Sequence, residues 1–292
     1  MADTSRRQFI QETGLLAGGV LAQSAAAQQG AVDPTVRADQ HRLFDEYSRK
    51  YQSIKMRRED GILEMQFHTN NGPLQWSALA HSELGGAFLD VGRDRDNEVI
   101  ILTGTGDDWS GPAVPPGGAP GARATTPAAW DHTYWDGKHL LMNLLDIEVP
   151  MISAINGPVN RHGEIPLLSD IVLASETTTF QDTAHFQGGL VPGDGVHIVF
   201  PLLMGTNRGR YFLLTGQKLS AAESKTLGLV SEVLPKADVL PRAWTLARQL
   251  MQRPVLRRRY ARVLLTQDLK RRMHDLLGYG LALEGLESSQ PR

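Results

Sequence analysis

The sequence alternates between short apolar runs and stretches with helical spacing, and this alternation limits the possible folds most strongly. The apolar runs are EVIILTGTG at 98–106, MISAINGPV at 151–159 and DIVLASETTTF at 170–180. Each is short, rich in aliphatic residues and followed by turn residues, which predicts a buried strand. Helical spacing dominates from His197 onward. Strands and helices that alternate first and are then followed by helices predict an α/β core with a helical C-terminal region.

The remaining elements follow from periodicity and turn residues. Two short strands are predicted at 51–60 and 61–69, with a turn near Asp60 and Gly61. A helix is predicted at 77–94. Its expected apolar stripe consists of Leu79, Leu84, Phe88 and Leu89. Further predictions are an irregular Gly- and Pro-rich loop at 107–127, a helix around 134–148, a short helix within 160–169, and long helices at 237–253 and 255–286.

The composition of the 292-residue chain excludes several classes of site and partner. Hydrophobic residues make up 41% and charged residues 21%, which are ordinary values for a globular protein. The net charge of -2 gives no reason to expect nucleic acid or an anionic membrane as a partner. Without cysteine there is no disulfide, thiol nucleophile or thiolate metal site. No histidine pair has HExxH-like spacing, so we predict no catalytic metal. No cofactor is expected either. The arginines at 257–259 and Arg262 are expected on a solvated helix face.

The N-terminal residues resemble a bacterial twin-arginine (Tat) export signal. Arg6 and Arg7 precede a short, mildly apolar stretch at 13–22 and small residues at 25–27. We therefore expect a signal peptide at 1–27, cleavage, and a periplasmic protein with no membrane contact in its mature form. An ordinary N-terminal arm is the alternative. The predicted division of the rest is an arm at 28–50, a core at 51–235 and a helical region at 236–292.

The glycine-rich stretch FQDTAHFQGGLVPGDG at 180–195 is the first candidate for an active site. It follows a predicted strand and contains His185 and, nine residues later, Asp194. Such loops commonly carry functional residues. A solvated or structural histidine is the alternative, and the spacing alone does not decide between the two.

Three stretches occur in the order typical of one family: VIILTGTG, PMISAINGPV with SDIVLASETTTF, and GGLVPGDG. Together they resemble the crotonase (enoyl-CoA hydratase/isomerase) superfamily, from about residue 51 to 287. The resemblance implies a β-β-α spiral with a helical region that assembles subunits into a trimer or a dimer of trimers. Fold alone does not give the reaction.

The departures from the hydratase pattern indicate a different reaction. His162 occupies the middle position of the usual glycine triplet, Ile165 replaces the first hydratase glutamate, and His185 replaces the second. Glu164 lies one place out of register. Pro112, in the other oxyanion-loop region, has no N–H to donate. Hydration of an enoyl-CoA is therefore not expected.

This set of replacements is similar to 6-oxocamphor hydrolase-like β-diketone hydrolases, which cleave a carbon–carbon bond between two ketones without CoA or metal. The resemblance implies catalytic roles for four residues and a substrate contact for Trp76. The four are His162, His185, Asp194 and Glu284. For Trp76, simple packing is the alternative. Glu284 shares the helix face of Leu277 and Leu281, so we expect a raised pKa; an exposed glutamate near a helix end is the alternative.

The chemistry fits these residue types. Water needs a neutral base, for which histidine is suited, and a carboxylate on its other ring nitrogen fixes the tautomer. We expect His185 and Asp194 to form this pair, with activity rising through a pKa near neutrality, and His162 to donate to the departing enolate oxygen. The alternatives are a crotonase acting on a CoA thioester by another reaction and a non-catalytic trimeric binding protein.

Overall fold

The computed structural model describes residues 43–112 and 125–290. The predicted export signal, the residues 28–42 of the predicted arm and most of the predicted Gly/Pro loop lie outside these ranges. The strands are β1 (Ile54–Glu59), β2 (Ile62–Phe67), β3 (Leu74–Gln75), β4 (Val99–Thr103), β5 (Ser110–Gly111), β6 (Met151–Ile155), β7 (Ile171–Ser175), β8 (Thr179–Phe180), β9 (Leu219–Ser220) and β10 (Glu232–Leu234). The principal helices are α1 (Ala78–Arg93), α2 (Pro127–Asp146), α3 (Glu164–Leu167), α4 (Val196–Met204), α5 (Thr206–Thr215), α6 (Ala221–Thr226), α7 (Lys236–Met251) and α8 (Val255–Ser288).

The larger sheet has six strands in the order β1-β2-β4-β6-β7-β10. Strands β1 and β2 form an antiparallel hairpin whose turn places Asp60 and Gly61 at positive φ, as their residue types favour. All other neighbours in this sheet pair in parallel. Strands β4 and β6 are buried along their whole length, which explains their continuous apolar sequences.

A smaller layer runs beside the large sheet. It contains the pairs β3-β5 and β8-β9, which are linked through bridges from Val159 to Ser110 and to Phe180. After each of β2, β4, β6 and β7 the chain therefore enters the small layer and then a helix. This repeat is the β-β-α spiral that the resemblance implied, and the α/β assignment is confirmed. Each passage of the chain from the large sheet to the small layer leaves a loop, and these loops lie at the same edge of the two layers.

Helix α1 uses a different face from the predicted one. Leu84 and Phe88 are buried, but Leu79 and Leu89 are each about half exposed. The buried face is completed by small residues instead, because α1 packs very closely on α2. A Cβ added at Gly85 would lie 3.3 Å from the backbone nitrogen of Leu140. Small side chains give a weak apolar signal in a sequence. The predicted apolar stripe of α1 is therefore wrong at Leu79 and Leu89.

The arginines of α8 correct a second expectation. Arg258, Arg259 and Arg262 are buried, not solvated. Arg262 Nε donates to the carbonyl of Ile147 at 2.7 Å, and its Nη1 lies 2.7 Å from Asp170 Oδ2. These partners compensate the loss of hydration. They fix the first half of α8 on the core, and the second half then reaches the loops between the two layers.

Helix α7 packs on the opposite face of the large sheet, where Trp244 joins a second apolar cluster with strands β4 and β6. None of the helices in the described ranges is both long and apolar enough to cross a membrane.

Candidate active site

A cavity of about 620 Å³ opens where the loops between the two sheet layers meet α1, α2 and α8. The predicted site residues Trp76, His162, His185, Asp194 and Glu284 all line it. They come from five separate places in the chain, and the spiral brings them to one edge. A concave site with convergent polar groups is the usual form of a small-molecule binding site.

His185 is held between two carboxylates. It is only 2% exposed, and its Nδ1 lies 2.8 Å from Asp182 Oδ1. On the other side of the ring, Nε2 lies 3.2 Å from Asp194 Oδ2 and 3.9 Å from Glu284 Oε1. Asp182 Oδ1 also accepts from the backbone N–H groups of Ala184 and His185, both at 3.3 Å. The turn at 182–185 therefore builds a rigid support for the ring.

This geometry changes the expected partner of His185. We expected Asp194 to hold the ring nitrogen remote from the reacting water, but Asp182 holds Nδ1, and Asp194 lies on the Nε2 side, which faces the cavity. The difference arises because Asp182 precedes His185 by three residues in a tight turn, so its side chain reaches Nδ1. Asp194 lies in the turn just before α4 and reaches the ring from there.

His162 is oriented by a carboxylate of its own, that of Glu164. Its Nδ1 lies 2.7 Å from Oε1 of Glu164, which is fully buried at the start of α3. The ring packs on Trp76 with the two centroids 3.8 Å apart. His162 has a φ of 48°, a left-handed conformation that non-glycine residues rarely adopt. With Nδ1 occupied by Glu164, Nε2 is the nitrogen that a ligand can use.

Asp194 links the two histidines. Its Oδ2 lies 3.2 Å from His185 Nε2 and 3.5 Å from His162 Nδ1. Burial alone would raise the pKa of the Asp194 carboxyl, but the charges of His185 and His162 outweigh burial and hold it well below its usual value. Asp194 is thus a permanent carboxylate in the site.

The histidines are correspondingly basic. Burial lowers the pKa of His185, but the charges of Asp194 and Asp182 and their hydrogen bonds raise it well above the ordinary value of 6.5. Burial also opposes the charged form of His162, yet Glu164 and Asp194 raise its pKa. The expectation of a base with a pKa near neutrality is therefore replaced by one with a higher pKa, because two carboxylates contact the ring instead of one.

Glu284 has the opposite character. It lies on α8, is 5% exposed, and burial together with the nearby Asp194 charge raises its pKa to about 8. The predicted raised pKa thus agrees with the structure. At neutral pH the group is mainly a neutral acid, 3.9 Å from His185 Nε2.

Three residues of the site were missed by the sequence-based prediction. Asp182 had a usable signal, since aspartate three residues before a loop histidine can reach its Nδ1. Glu164 was noticed only as out of register. The third is His81 on α1, whose ring centroid lies 5.4 Å from that of His162 and 5.6 Å from that of Trp76. Burial lowers the pKa of His81 to about 4, so it is neutral.

His162, Glu164 and Asp194 are close enough to share a cation, since one ligand atom from each lies within 4.8 Å of the others. The atoms are used for a hydrogen bond between His162 and Glu164, which a bound metal would have to replace. The prediction that activity needs no metal stays a prediction.

A comparison of the sequence with known protein families identifies the family of this chain. The family model described as enoyl-CoA hydratase/isomerase matches residues 57–280. A β-diketone hydrolase from the cyanobacterium Anabaena, solved with (S)-3-oxocyclohexyl acetic acid bound, is 51% identical. The match covers 84% of this chain and 97% of that one, with a TM-score of 0.79. An enoyl-CoA hydratase/isomerase from Mycobacterium paratuberculosis is 23% identical over 82% of this chain and 94% of that one (TM-score 0.73), a likeness of fold alone.

Two curated relatives are less similar to this chain. Peroxisomal enoyl-CoA delta isomerase 3 from Mus musculus is 28% identical over 83% of this chain and 72% of its own length. Enoyl-CoA delta isomerase 2 from Homo sapiens is 25% identical over 79% of this chain, which spans only 58% of that protein.

Proposed function

This chain belongs to the enoyl-CoA hydratase/isomerase family, and we propose that it is a hydrolase that cleaves the carbon–carbon bond between the two ketones of a cyclic β-diketone. The observation that carries the proposal is the arrangement of His185 between Asp182 and Asp194, beside the neutral acid Glu284. The 51% identity to a β-diketone hydrolase supports it. A keto acid such as 3-oxocyclohexyl acetic acid would then be the class of product.

His185 is proposed as the base. Asp182 holds Nδ1–H, so in the deprotonated ring the lone pair of Nε2 faces the cavity. Because the pKa of His185 is raised, this active form grows as pH rises. Water bound on the cavity side, next to Nε2, loses a proton to Nε2, and its oxygen adds to one ketone carbon. Asp194, a permanent carboxylate, stabilises the imidazolium that forms.

His162 is proposed as the donor to the oxygen on which negative charge develops. Glu164 keeps Nδ1 occupied and raises the pKa of the ring, so Nε2 carries a proton. Trp76 supports the ring by stacking, and the neutral His81 lies beside both. Donors placed where charge develops are usually the largest electrostatic contribution to such reactions.

Glu284 is proposed to protonate the leaving carbon. When the carbon–carbon bond breaks, its electron pair becomes the enolate and the attacked carbon becomes a carboxylic acid. Glu284 gives its proton to the enolate carbon, and His185 then returns the water proton to Glu284 across their 3.9 Å separation. One water is consumed, and both residues regain their starting protonation states.

The decisive experiment is a direct assay. The purified protein is incubated with the bicyclic β-diketone whose ring opening yields 3-oxocyclohexyl acetic acid, and the product is identified by mass and chiral chromatography. Activity should survive exhaustive dialysis against EDTA, because no step above uses a metal. No turnover on a panel of cyclic β-diketones would reject the proposal.

A second candidate is an isomerase or another enzyme acting on a CoA thioester, favoured by the curated relatives at 25–28% identity. Crotonyl-CoA and a β,γ-enoyl-CoA in the same assay separate the two reactions. The replacement of the hydratase glutamates by Ile165 and His185 favours the diketone.

A further inference from the structure

Arg161 is the one lysine or arginine among the described residues that line the active-site cavity. Within the described ranges, no carboxylate oxygen lies within 4 Å of its guanidinium. Other partly or fully buried arginines of this chain do have such partners: Arg58 lies 2.6 Å from Asp94, and Arg262 lies 2.7 Å from Asp170. Among the described residues, Arg161 is therefore a cation in the cavity without a carboxylate partner.

The backbone of Arg161 is firmly placed. Ser110 Oγ donates to its carbonyl at 2.6 Å and accepts from its N–H at 3.3 Å. The next residue is His162, whose ring is held by Glu164. Burial lowers the pKa of Arg161, while the charges of Asp182 and Asp194 oppose that shift, so the guanidinium lies within electrostatic reach of the catalytic carboxylates. It remains charged at any physiological pH.

We infer that Arg161 binds the carboxylate group that bond cleavage creates, an inference that rests on the proposed function. Cleavage gives a carboxylic acid, which ionises near neutral pH by losing its proton to solvent and so becomes an anion in a cavity that already contains the permanent carboxylate Asp194. Like charges at this range repel, so the ionised product needs a cation in order to remain bound beside Asp194 until it is released. A guanidinium presents paired N–H donors that match both oxygens of a carboxylate.

A carboxylate already present on the substrate would have the same chemistry, and the two sources are separable. A carboxylate formed by the reaction makes Arg161 contribute to binding of the keto acid, but not to binding of a neutral diketone. A substrate carboxylate would instead make Arg161 contribute to the KM of diketones that carry an acidic side chain.

The test compares wild type with Arg161→Gln and Arg161→Lys, using Arg208→Gln at an exposed helix position as the control. Calorimetry without turnover measures the Kd of 3-oxocyclohexyl acetate and of its methyl ester. The Gln variant should bind the acid about 10- to 100-fold more weakly, the range for losing a charge-assisted hydrogen bond. The ester should bind within about twofold of wild type, and Lys should restore part of the loss. The control variant should match wild type for both ligands.

Three results would overturn the inference: unchanged acid binding in Arg161→Gln, equal losses for acid and ester, or a higher KM confined to acid-bearing diketones. The same measurements distinguish a failure of the proposed function from a failure of the Arg161 inference. If wild type turns over no diketone yet binds the acid in an Arg161-dependent way, the carboxylate site stands and the reaction is wrong. If diketones are hydrolysed and Arg161→Gln behaves as wild type, the reaction stands and the carboxylate assignment is wrong.

Discussion

His185 lies between two carboxylates, and its chemistry depends on which ring nitrogen each one contacts. Asp182 contacts Nδ1 and Asp194 contacts Nε2. A hydrogen bond at Nδ1 selects the tautomer whose Nε2 can accept a proton from water. The pair at the cavity side, His185 and Asp194, should therefore act as one unit.

Replacing His185 by alanine should lower kcat by about 10²–10⁴-fold, the usual contribution of a general base. Asp194→Ala should cost a similar factor. The double variant should be little slower than His185→Ala alone, because residues of one unit are strongly non-additive. Steady-state kinetics on the best diketone measures all three. Near-normal turnover of His185→Ala would show that another group activates water.

Asp182→Asn tests the support on the other side of the ring. Loss of this carboxylate should lower the pKa of His185, since its charge is one of the causes that raise it. The rate should rise with pH as His185 loses its proton. This rising limb of the pH–rate profile should therefore move to lower pH in the variant. Asparagine also holds the tautomer less well, so kcat should fall by roughly 10²-fold or more with KM little changed. A merely structural role would lower the yield of folded protein without moving the pH profile.

Deprotonation of Glu284 should cause the fall in rate at high pH. Its pKa of about 8 means that the proton donor is lost as pH rises through about 8, so the rate should decline there. Glu284→Gln should be slow at all pH values and lack this decline. The folded-state pKa is above the ordinary value, so stability linked to Glu284 is lost as pH rises from about 4.5 to about 8. Thermal melts at pH 9 should accordingly show the Gln variant to be more stable than wild type.

At the scale of elements, helix α8 places Glu284 by a close contact between glycines. A Cβ added at Gly280 would lie 2.4 Å from the carbonyl oxygen of Gly193, and one added at Gly193 would lie 2.2 Å from that of Gly280. Only glycine, which has no Cβ, fits where two backbones approach this closely. The distance from α8 to the loop before Asp194 is therefore set at this contact.

Gly280→Ala should push α8 away from this loop and separate Glu284 from His185. The overpacking should lower the free energy of unfolding by about 1–3 kcal/mol, and kcat should fall because the proton relay is broken. Gly278→Ala is the matched control on the same helix. Its added methyl would meet Tyr134 Oη at 3.0 Å, the end of a side chain that can move. Equal behaviour of the two variants in melts and kinetics would contradict the contact argument.

At the scale of the whole molecule, the position of the active site is set by the two sheet layers. Each passage from the large sheet to the small one ends in a loop at the same edge, and β3, residue 159 and β8 lead to Trp76, His162 and His185 respectively. Residues more than a hundred positions apart in sequence meet there. Such a site tolerates different loop residues, which explains how one fold carries different reactions.

The assembly of subunits remains a proposal. Helix α8 exposes Leu256, Tyr260, Leu264 and Leu265 by 56–76%, and exposed apolar patches of this kind mark protein–protein contacts. We expect a trimer or a dimer of trimers by light scattering at micromolar concentration. Leu264→Glu should weaken assembly because it places a charge in the contact, whereas the wild type as a monomer would contradict the proposal.

The order and type of the longer elements were predictable from the chain, because periods of two and of 3.6 residues are local properties. The short strands β3, β5, β9 and β10 were not predicted, although β10 forms one edge of the large sheet. The paired loop residues His185 and Asp194, and the departures at Ile165 and His162, likewise follow from positions along the chain. Apart from the raised pKa of Glu284, the burial and charge environment of the residues do not follow from the sequence. The buried arginines of α8, the exposed Leu79 and Leu89, and the contact of Asp182 with His185 Nδ1 depend on which faces meet in three dimensions. The pKa of His185 depends on carboxylates that approach from separate elements, so only the tertiary structure decides it.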